Sequence, residues 1–482
     1  MFKKIVLYVL LGIIILLAYV GIKTITAPNL QRKIKYQPAP ELSENALQHF
    51  QQAIQIKTIS YDNPKDWDSL PFIQFRQLLE KTYPLVHQHL ERDVINGYSY
   101  LYKWSGKDAT LAPYILMAHQ DVVPIEETTR KIWTCEPFGG TLKDGYIWGR
   151  GTTDDKINLI SILESAEKLL LQGFQPQRTI YFSFGHDEEI SGRKGAQEIA
   201  KLLAARNIKA ALIMDEGGFI TQEKVPGMKK PVALIGTAEK GYMTLDLSVT
   251  KNGGHSSMPD KETAIDILIK AVTQLRTNPF EAKFANATQD FMRYIGPEME
   301  FPNNMAMANP VLFKKLICKN YEKTGSGNAM IRTTAVPTII NSGMKENVIP
   351  TLATATINFR LLPGDSSKFI LKKVKEIIND DRVKIIVRDN NINEGTATTS
   401  ATSNAFLLVD SIAKSSYDKI LSAPFLLIGA TDSRYFTKVS DNIIKFSPMF
   451  DPIGFHGIDE RVSIKSFQHS LWFYEQLIRT CK

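Results

Sequence analysis

Cysteine is scarce: Cys135, Cys318 and Cys481 are the only three in 482 residues, and no two of them form a CxxC pair. That excludes a cysteine-built zinc site, and the odd count argues against a full disulfide framework while leaving room for one bridge. Long runs of one charge are missing too. Lysine and arginine outnumber aspartate and glutamate 58 to 50, a net +8, but the basic residues are scattered in pairs such as Lys229-Lys230 and Lys372-Lys373. No basic stripe is interleaved with aromatics, so no nucleic-acid partner is expected. Internal repeats and extended low-complexity tracts are also lacking; residues 396–403 form only a short Ser/Thr/Ala patch.

What is present is a packed globular composition, 44% hydrophobic and 22% charged, in a chain long enough for two domains or three. Charge is absent from residues 5–22. At ~1.5 Å per residue that run reaches ~27 Å, enough to cross a bilayer core. An uncleaved anchor is favoured over a cleaved signal segment, because the run is long and no small-x-small site follows it. Lys3 and Lys4 favour a cytoplasmic N-terminus with the body on the other side, and Lys23, Arg32, Lys33 and Lys35 pull against that orientation. The expected order is an anchor or signal segment at 1–23 and a proline-containing tether at 24–43.

From about Glu44 short apolar runs alternate with helical spacing. Residues 114–118 (YILMA), 179–184 (TIYFSF), 211–214 (ALIM) and 424–428 (PFLLI) predict buried strands, and 159–171 and 195–204 predict helices between them. The alternation implies an α/β fold, a mostly parallel sheet flanked by helices. A second pattern interrupts it. Strand-like 243–250, helical 264–275, strand-like 333–340 and 352–361, helical 367–378 and strand-like 383–387 spell β-α-β-β-α-β, the order of a small α+β domain. The catalytic domain is therefore expected at 44–241 and 393–482, with an inserted lid at 242–392. Residues 279–327 fit neither pattern and are assigned to the lid as an elaboration.

Each apolar strand of the larger domain runs into polar residues. YILMA leads to His119-Gln120-Asp121, TIYFSF to Gly185-His186-Asp187-Glu188-Glu189, ALIM to Asp215-Glu216, and PFLLI to a turn ending in Arg434. Ligands of open α/β sheets bind outside the carboxyl ends of the strands, so these four ends should converge on one crevice. His119 and Asp121, two apart, can share one side, the histidine binding a cation and the aspartate supporting it. An HxD alone is equally an ordinary strand-end turn. The side chains of Glu188 and Glu189 diverge, so one can hold metal while the other acts as general base; the alternative is a solvated acidic loop. The loop at 148–156 (WGRGTTDDK) has neither a GxxxxGK[ST] nor a GxGxxG arrangement. His456 has no local partner and, by pattern alone, reads as a turn residue.

Together MAHQDVVP, WGRGTTDDK, GHDEEISG, MDEGG, GGHSS, GATDSR and GFHGIDE, in this order from residue 117 to 460, resemble the M20 metallopeptidases. The likeness is closest to the carboxypeptidase S branch, the Gly-X carboxypeptidases and their secreted N-acyl-amino-acid hydrolase relatives. It implies two Zn²⁺ per subunit, with Co²⁺ or Mn²⁺ as substitutes, bridged by Asp154, and a cis peptide at Asp154-Asp155. His119 and Asp215 would complete one metal site, with Glu216 as the fallback for Asp215, and Glu189 and His456 the other. Glu188 would be the general base and Asp121 the support of His119. His255 would be a lid histidine stabilising the oxyanion from the same or a partner subunit. Arg434 would bind a substrate carboxylate, with Asn347 and Arg360 as lid-side candidates. The implied substrate is a peptide or N-acyl amino acid, and the lid a homodimerisation element. A non-catalytic, membrane-tethered binding protein that keeps the fold is the competing reading.

Overall fold

The alternation of apolar runs and amphipathic spacing becomes a sheet covered on both faces. A computed structural model of the chain describes residues 2–222, 224–388 and 392–481. Eight strands lie in the spatial order Glu91–Ile95, Ser99–Trp104, Ile180–Gly185, Tyr114–His119, Leu212–Thr221, Ile443–Phe450, Val232–Glu239 and Leu421–Leu427. The centre is parallel: Tyr114–His119 pairs with both Ile180–Gly185 and Leu212–Thr221, and the latter with Ile443–Phe450. The first two strands are antiparallel margins. Side chains alternate across the pleat, and both sets are buried. Leu116 and Ala118 pack among helices Lys156–Leu171, Asn404–Ser416 and Ile464–Arg479, while Ile115 and Met117 face helix Ala196–Ala205. Leu116, Ile115 and Met117, fully buried, contribute about 1.5–3 kcal/mol each relative to exposure.

The inserted domain has the predicted order. Strands Gly241–Thr250, Thr334–Ser342, Leu352–Leu361 and Lys384–Val387 form one antiparallel sheet, with Gly241–Thr250 and Leu352–Leu361 central. Helices Ala264–Thr277 and Ser367–Ile378 cover one face and share its apolar core. A capping box between Thr263 and Asp266 fixes the start of the first helix. All crossings to the body lie at one end of this sheet, where Gly241 pairs with Leu361 and Thr334 with Arg360.

Two expectations change. The elaboration of the lid expected at 279–327 stops early: Phe280 packs on the lid's Phe359, but from Asn286 the segment turns to the body. Helix Asn286–Ile295 buries Phe291, Met292 and Ile295 against the body, and Phe291, Tyr294, Ile295 and Met299 join the body's core. The helix covers the edge strand Leu421–Leu427, with Phe291 against Phe425, so an otherwise open sheet edge is closed. The tether is fastened rather than free: Gln31 donates to Tyr294 O and Ser422 O and accepts from Ser422 N, and Gln37 N donates to Ser415 O. Ahead of it, helix Phe2–Ile25 is long and apolar enough to cross a membrane and is exposed except around Val20. All three cysteines are free.

Candidate metal centre and active site

His119 ends its strand, buried, where the next residue leaves the sheet. Its Nδ1 lies 2.9 Å from the carbonyl of Asp121, which fixes that nitrogen as the N–H donor and leaves Nε2 as a ligand atom. The Asp121 carboxylate accepts from Ser60 Oγ and from the backbone N–H groups of Glu188 and Glu189. One buried carboxylate thus ties the His119 turn to the acidic turn. Its pKa is held low: burial works against the charge, but His119, Ser60 and the Glu189 N–H outweigh it.

Asp154 lies at the centre. Its Oδ1 is 2.9 Å from His119 Nε2 and its Oδ2 is 2.9 Å from His456 Nε2. Glu216 Oε1 is 3.4 Å from His119 Nε2, and Glu189 Oε2 is 3.2 Å from His456 Nε2. Two triads therefore share Asp154: His119, Asp154 and Glu216, and Asp154, Glu189 and His456, the atoms of each lying within 4.8 Å of one another. The peptide bond between Asp154 and Asp155 is cis.

The expectation that Asp215 belongs to the cluster is corrected. Neighbouring residues on a strand point to opposite faces. Asp215 Oδ2 accepts the Ser433 N–H at 2.8 Å, and its neighbour Glu216 faces His119 instead.

The charges explain what the cluster needs. Burial and the charge of Asp154 push Glu189 up to about 7 and Glu216 well above the carboxylate range. Hydrogen bonds to Asp154 and Glu189 raise His456 to about 11. His119 is raised as well, because Glu216, Asp121 and Asp154 overcome its burial. So many carboxylates around two imidazoles hold protons tightly, and divalent cations would take the place of those protons. Glu189 Oε1 is buried with no hydrogen-bond partner among the described residues, which leaves it free for a cation. The residues fit a metal pair.

Glu188 belongs to neither triad. Burial, then the charge of Asp432, raise its pKa well above the ordinary value, with Glu216 adding to the repulsion and His119 opposing it. Arg434 Nη1 stands 3.9 Å from Glu188 Oε1. The Arg434 guanidinium donates to Thr431 O and Ser191 O, and burial is offset by Asp432 and Glu188, which keep it charged. Arg360 lies over the ring of Tyr242, and both arginines, with Glu188, Glu189 and His456, line one cavity of about 320 Å³. His255 and Asn347 are not brought to it. His255 pairs with Val348 in a two-residue ribbon beyond the free end of the lid, and Asn347 O accepts the Ser256 N–H there.

Glu460 was not singled out by sequence reasoning. It accepts from Arg150, from the Gly151 and Thr153 N–H groups and from the Thr153 hydroxyl, while Arg150 Nη2 also donates to the carbonyls of His456 and Gly457. One buried ion pair therefore holds the loop of Asp154 against the loop of His456. The only signal was its place four residues after His456, which carries no hint of Arg150. Gly192, at φ +65°, is likewise needed: a Cβ there would lie 1.9 Å from Asp432 Oδ1.

A sequence profile of peptidase family M20/M25/M40 matches residues 115–480. The chain belongs to this family. It is 42% identical over 440 residues to the probable carboxypeptidase S-like 2 of Dictyostelium discoideum, covering 90% of this chain and 84% of that protein. It is 38% identical over 483 residues to the N-fatty-acyl-amino acid synthase/hydrolase PM20D1 of Xenopus tropicalis, covering 98% and 93%. Carboxypeptidase S of Saccharomyces cerevisiae is 33% identical over 353 residues, 67% of this chain and 58% of that protein. Among solved structures, the M20 family metallo-carboxypeptidase Sso-CP2 from Sulfolobus solfataricus has the same fold, with a TM-score of 0.69 at 16% identity over 91% of this chain and 99% of that one. This M20 chain is a metal-dependent hydrolase of amide bonds, and the non-catalytic reading is set aside.

Proposed function

We propose that this M20 protein uses two zinc ions to hydrolyse the peptide or N-acyl amide bond next to a free C-terminal amino acid. The observation that carries the reading is Asp154, whose two oxygens each meet a histidine of a different triad, with Glu188 beside them and in neither. His119, Asp154 and Glu216 would hold one cation, and Asp154, Glu189 and His456 the other. When bound, the cations polarise the scissile carbonyl and make water a better nucleophile near neutral pH.

The rest falls to side chains. Water oxygen bonds to the carbonyl carbon as Glu188 takes its proton; the C–N bond then breaks and Glu188 returns the proton to the leaving nitrogen. Asp121 keeps His119 in the tautomer that presents Nε2 and keeps the Glu188 turn in place. Arg434, with Arg360 across the cavity, provides the charge for a carboxylate on the leaving amino acid. The carboxypeptidase S and N-fatty-acyl-amino acid hydrolase relatives support both acyl-side options, a peptide or an N-acyl group.

His255 would reach a site only from a second copy or after the lid moves, because the strand Gly241–Thr250 separates it from the body. The exposed edge strand Thr334–Ser342, with Val336, Ile339 and Ile340 open to solvent, supports pairing of two lids in a homodimer. Helix Phe2–Ile25 would anchor the body to a membrane on its non-cytoplasmic side, or be removed as a signal. Metal analysis, with cobalt and manganese reconstitution, and turnover of a panel of dipeptides and N-acyl amino acids test the proposal. Two zinc equivalents and cleavage confined to substrates with a free carboxylate are expected; one equivalent, or indifference to the carboxylate, overturns it.

A further inference from the structure

We propose that residues 310–323 form a second membrane contact, an apolar and basic face seated on the surface of the bilayer that helix Phe2–Ile25 crosses. The inference rests on the reading of that helix as membrane-spanning.

The depth follows from one contact. Helix Asn303–Ala308 packs on the last turns of helix Phe2–Ile25. Asn309 Nδ2 donates to Thr24 Oγ1 at 3.3 Å and approaches Val20 O at 3.5 Å. Val20 belongs to the uncharged run that Lys23 ends. At ~1.5 Å per residue, Val20 and Lys23 differ by only ~4.5 Å along the axis. Asn309 therefore lies level with the bilayer boundary rather than at the far side of a linker.

The residues after Asn309 suit that depth. Val311 is 89%, Leu312 51% and Leu316 58% exposed, three large aliphatics within six residues. Helix Lys314–Tyr321 turns Ile317 and Cys318 inward and leaves Leu316 outside. A groove of about 480 Å³ runs between this segment and the helix end, lined by Ala27, Leu30, Met292, Met307 and Val311. Between residues 310 and 323, Lys314, Lys315, Lys319 and Lys323 stand against one acid, Glu322, and Lys23 and Arg293 line the groove. Exposed aliphatics beside lysines are the composition of an interfacial segment, which sinks ~5–10 Å into the headgroup and upper acyl region and is drawn to anionic lipid. The occupant is thus a phospholipid surface with an anionic component.

The test uses the full chain in vesicles of phosphatidylcholine and phosphatidylglycerol whose chains carry bromine near either the carbonyl or the methyl end. Val311→Trp, Leu312→Trp and Ile14→Trp each add one emitter, read as the difference from the parent. Trp at 311 and 312 should lose most of the added emission to bromine near the carbonyl and little to bromine near the methyl end; at 14 the order should reverse. Lys314→Glu combined with Lys315→Glu should reduce the loss at 311, as should omission of phosphatidylglycerol. If position 14 is quenched by bromine while 311 and 312 respond only to aqueous iodide, the face is solvated and the proposal fails with the spanning helix intact. Shielding of 311 and 312 from both quenchers would mean a protein surface covers them, and also overturns it. If position 14 escapes bromine, the helix reading fails and the proposal falls with it.

Discussion

The two halves of the cluster share Asp154 and differ in almost everything else. His119 is 2% exposed and stands on a strand at the centre of the sheet, whereas His456 is 54% exposed and stands on a loop with φ +53°. The inner half is positioned by the sheet and by Asp121. The outer half shares Asp121's hold at Glu189, but its histidine is positioned through one ion pair, Arg150 with Glu460. A sheet gives permanence, and a loop clamped at its base leaves a ligand within reach of solvent and substrate. The outer half is therefore where a substrate and a chelator arrive first.

The largest break lies between the halves. Glu188→Gln should keep both cations and lower kcat by about 10²–10⁴, the worth of a general base; metal content beside turnover checks it, and full activity would reassign the base. Next, Glu216→Gln should empty the inner half and abolish most activity, while Asp215→Asn should retain both metal equivalents. The reverse result would return Asp215 to the cluster. Glu460→Ala should weaken the outer cation by roughly 10–100-fold, as loss of a ligand's support does. Removing one partner of a buried ion pair also destabilises by about 3–5 kcal/mol, so thermal unfolding should be recorded alongside. Titration with a chelator should then remove the outer cation first in the parent, and earlier still in Glu460→Ala. Smallest is Arg434→Ala, which should raise KM about 10–100-fold for substrates with a free carboxylate, a loss of ~1.5–3 kcal/mol of charged hydrogen bonding. Their carboxamide analogues should be little affected, and equal loss on both would remove the carboxylate role.

The same contrast explains what the sequence made legible. Strands that end in His119, Glu188-Glu189 and Asp215-Glu216 could be placed at one sheet edge because buried parallel strands are continuous apolar runs, and the β-α-β-β-α-β order of the lid came from periodicity alone. The choice between Asp215 and Glu216 depends on which face of the strand meets the crevice, and adjacency in sequence cannot settle a one-residue alternation. Glu460 was hidden for another reason: its partner, Arg150, lies 310 positions away. Helix Asn286–Ile295 packs on the body rather than the lid, because amphipathic spacing identifies a helix's buried face but not what it is buried against. The edge strand that it covers, Leu421–Leu427, comes far later in the chain.

Among the described residues, the chain crosses between lid and body at one end of the lid sheet, which makes the lid a lever. Arg360 and Tyr242 sit beside the pivot, while His255 lies past the tip of a ten-residue strand, ~30 Å out at ~3.3 Å per residue. A hinge rotation of about 20° would sweep the tip through ~10 Å and shift the arginine by an ångström or so, as in other hinged closures. Substrate charge recognition would thus be nearly independent of lid angle, and any step that needs His255 would depend on it steeply. Binding and turnover in this enzyme should therefore respond differently to whatever stiffens the hinge.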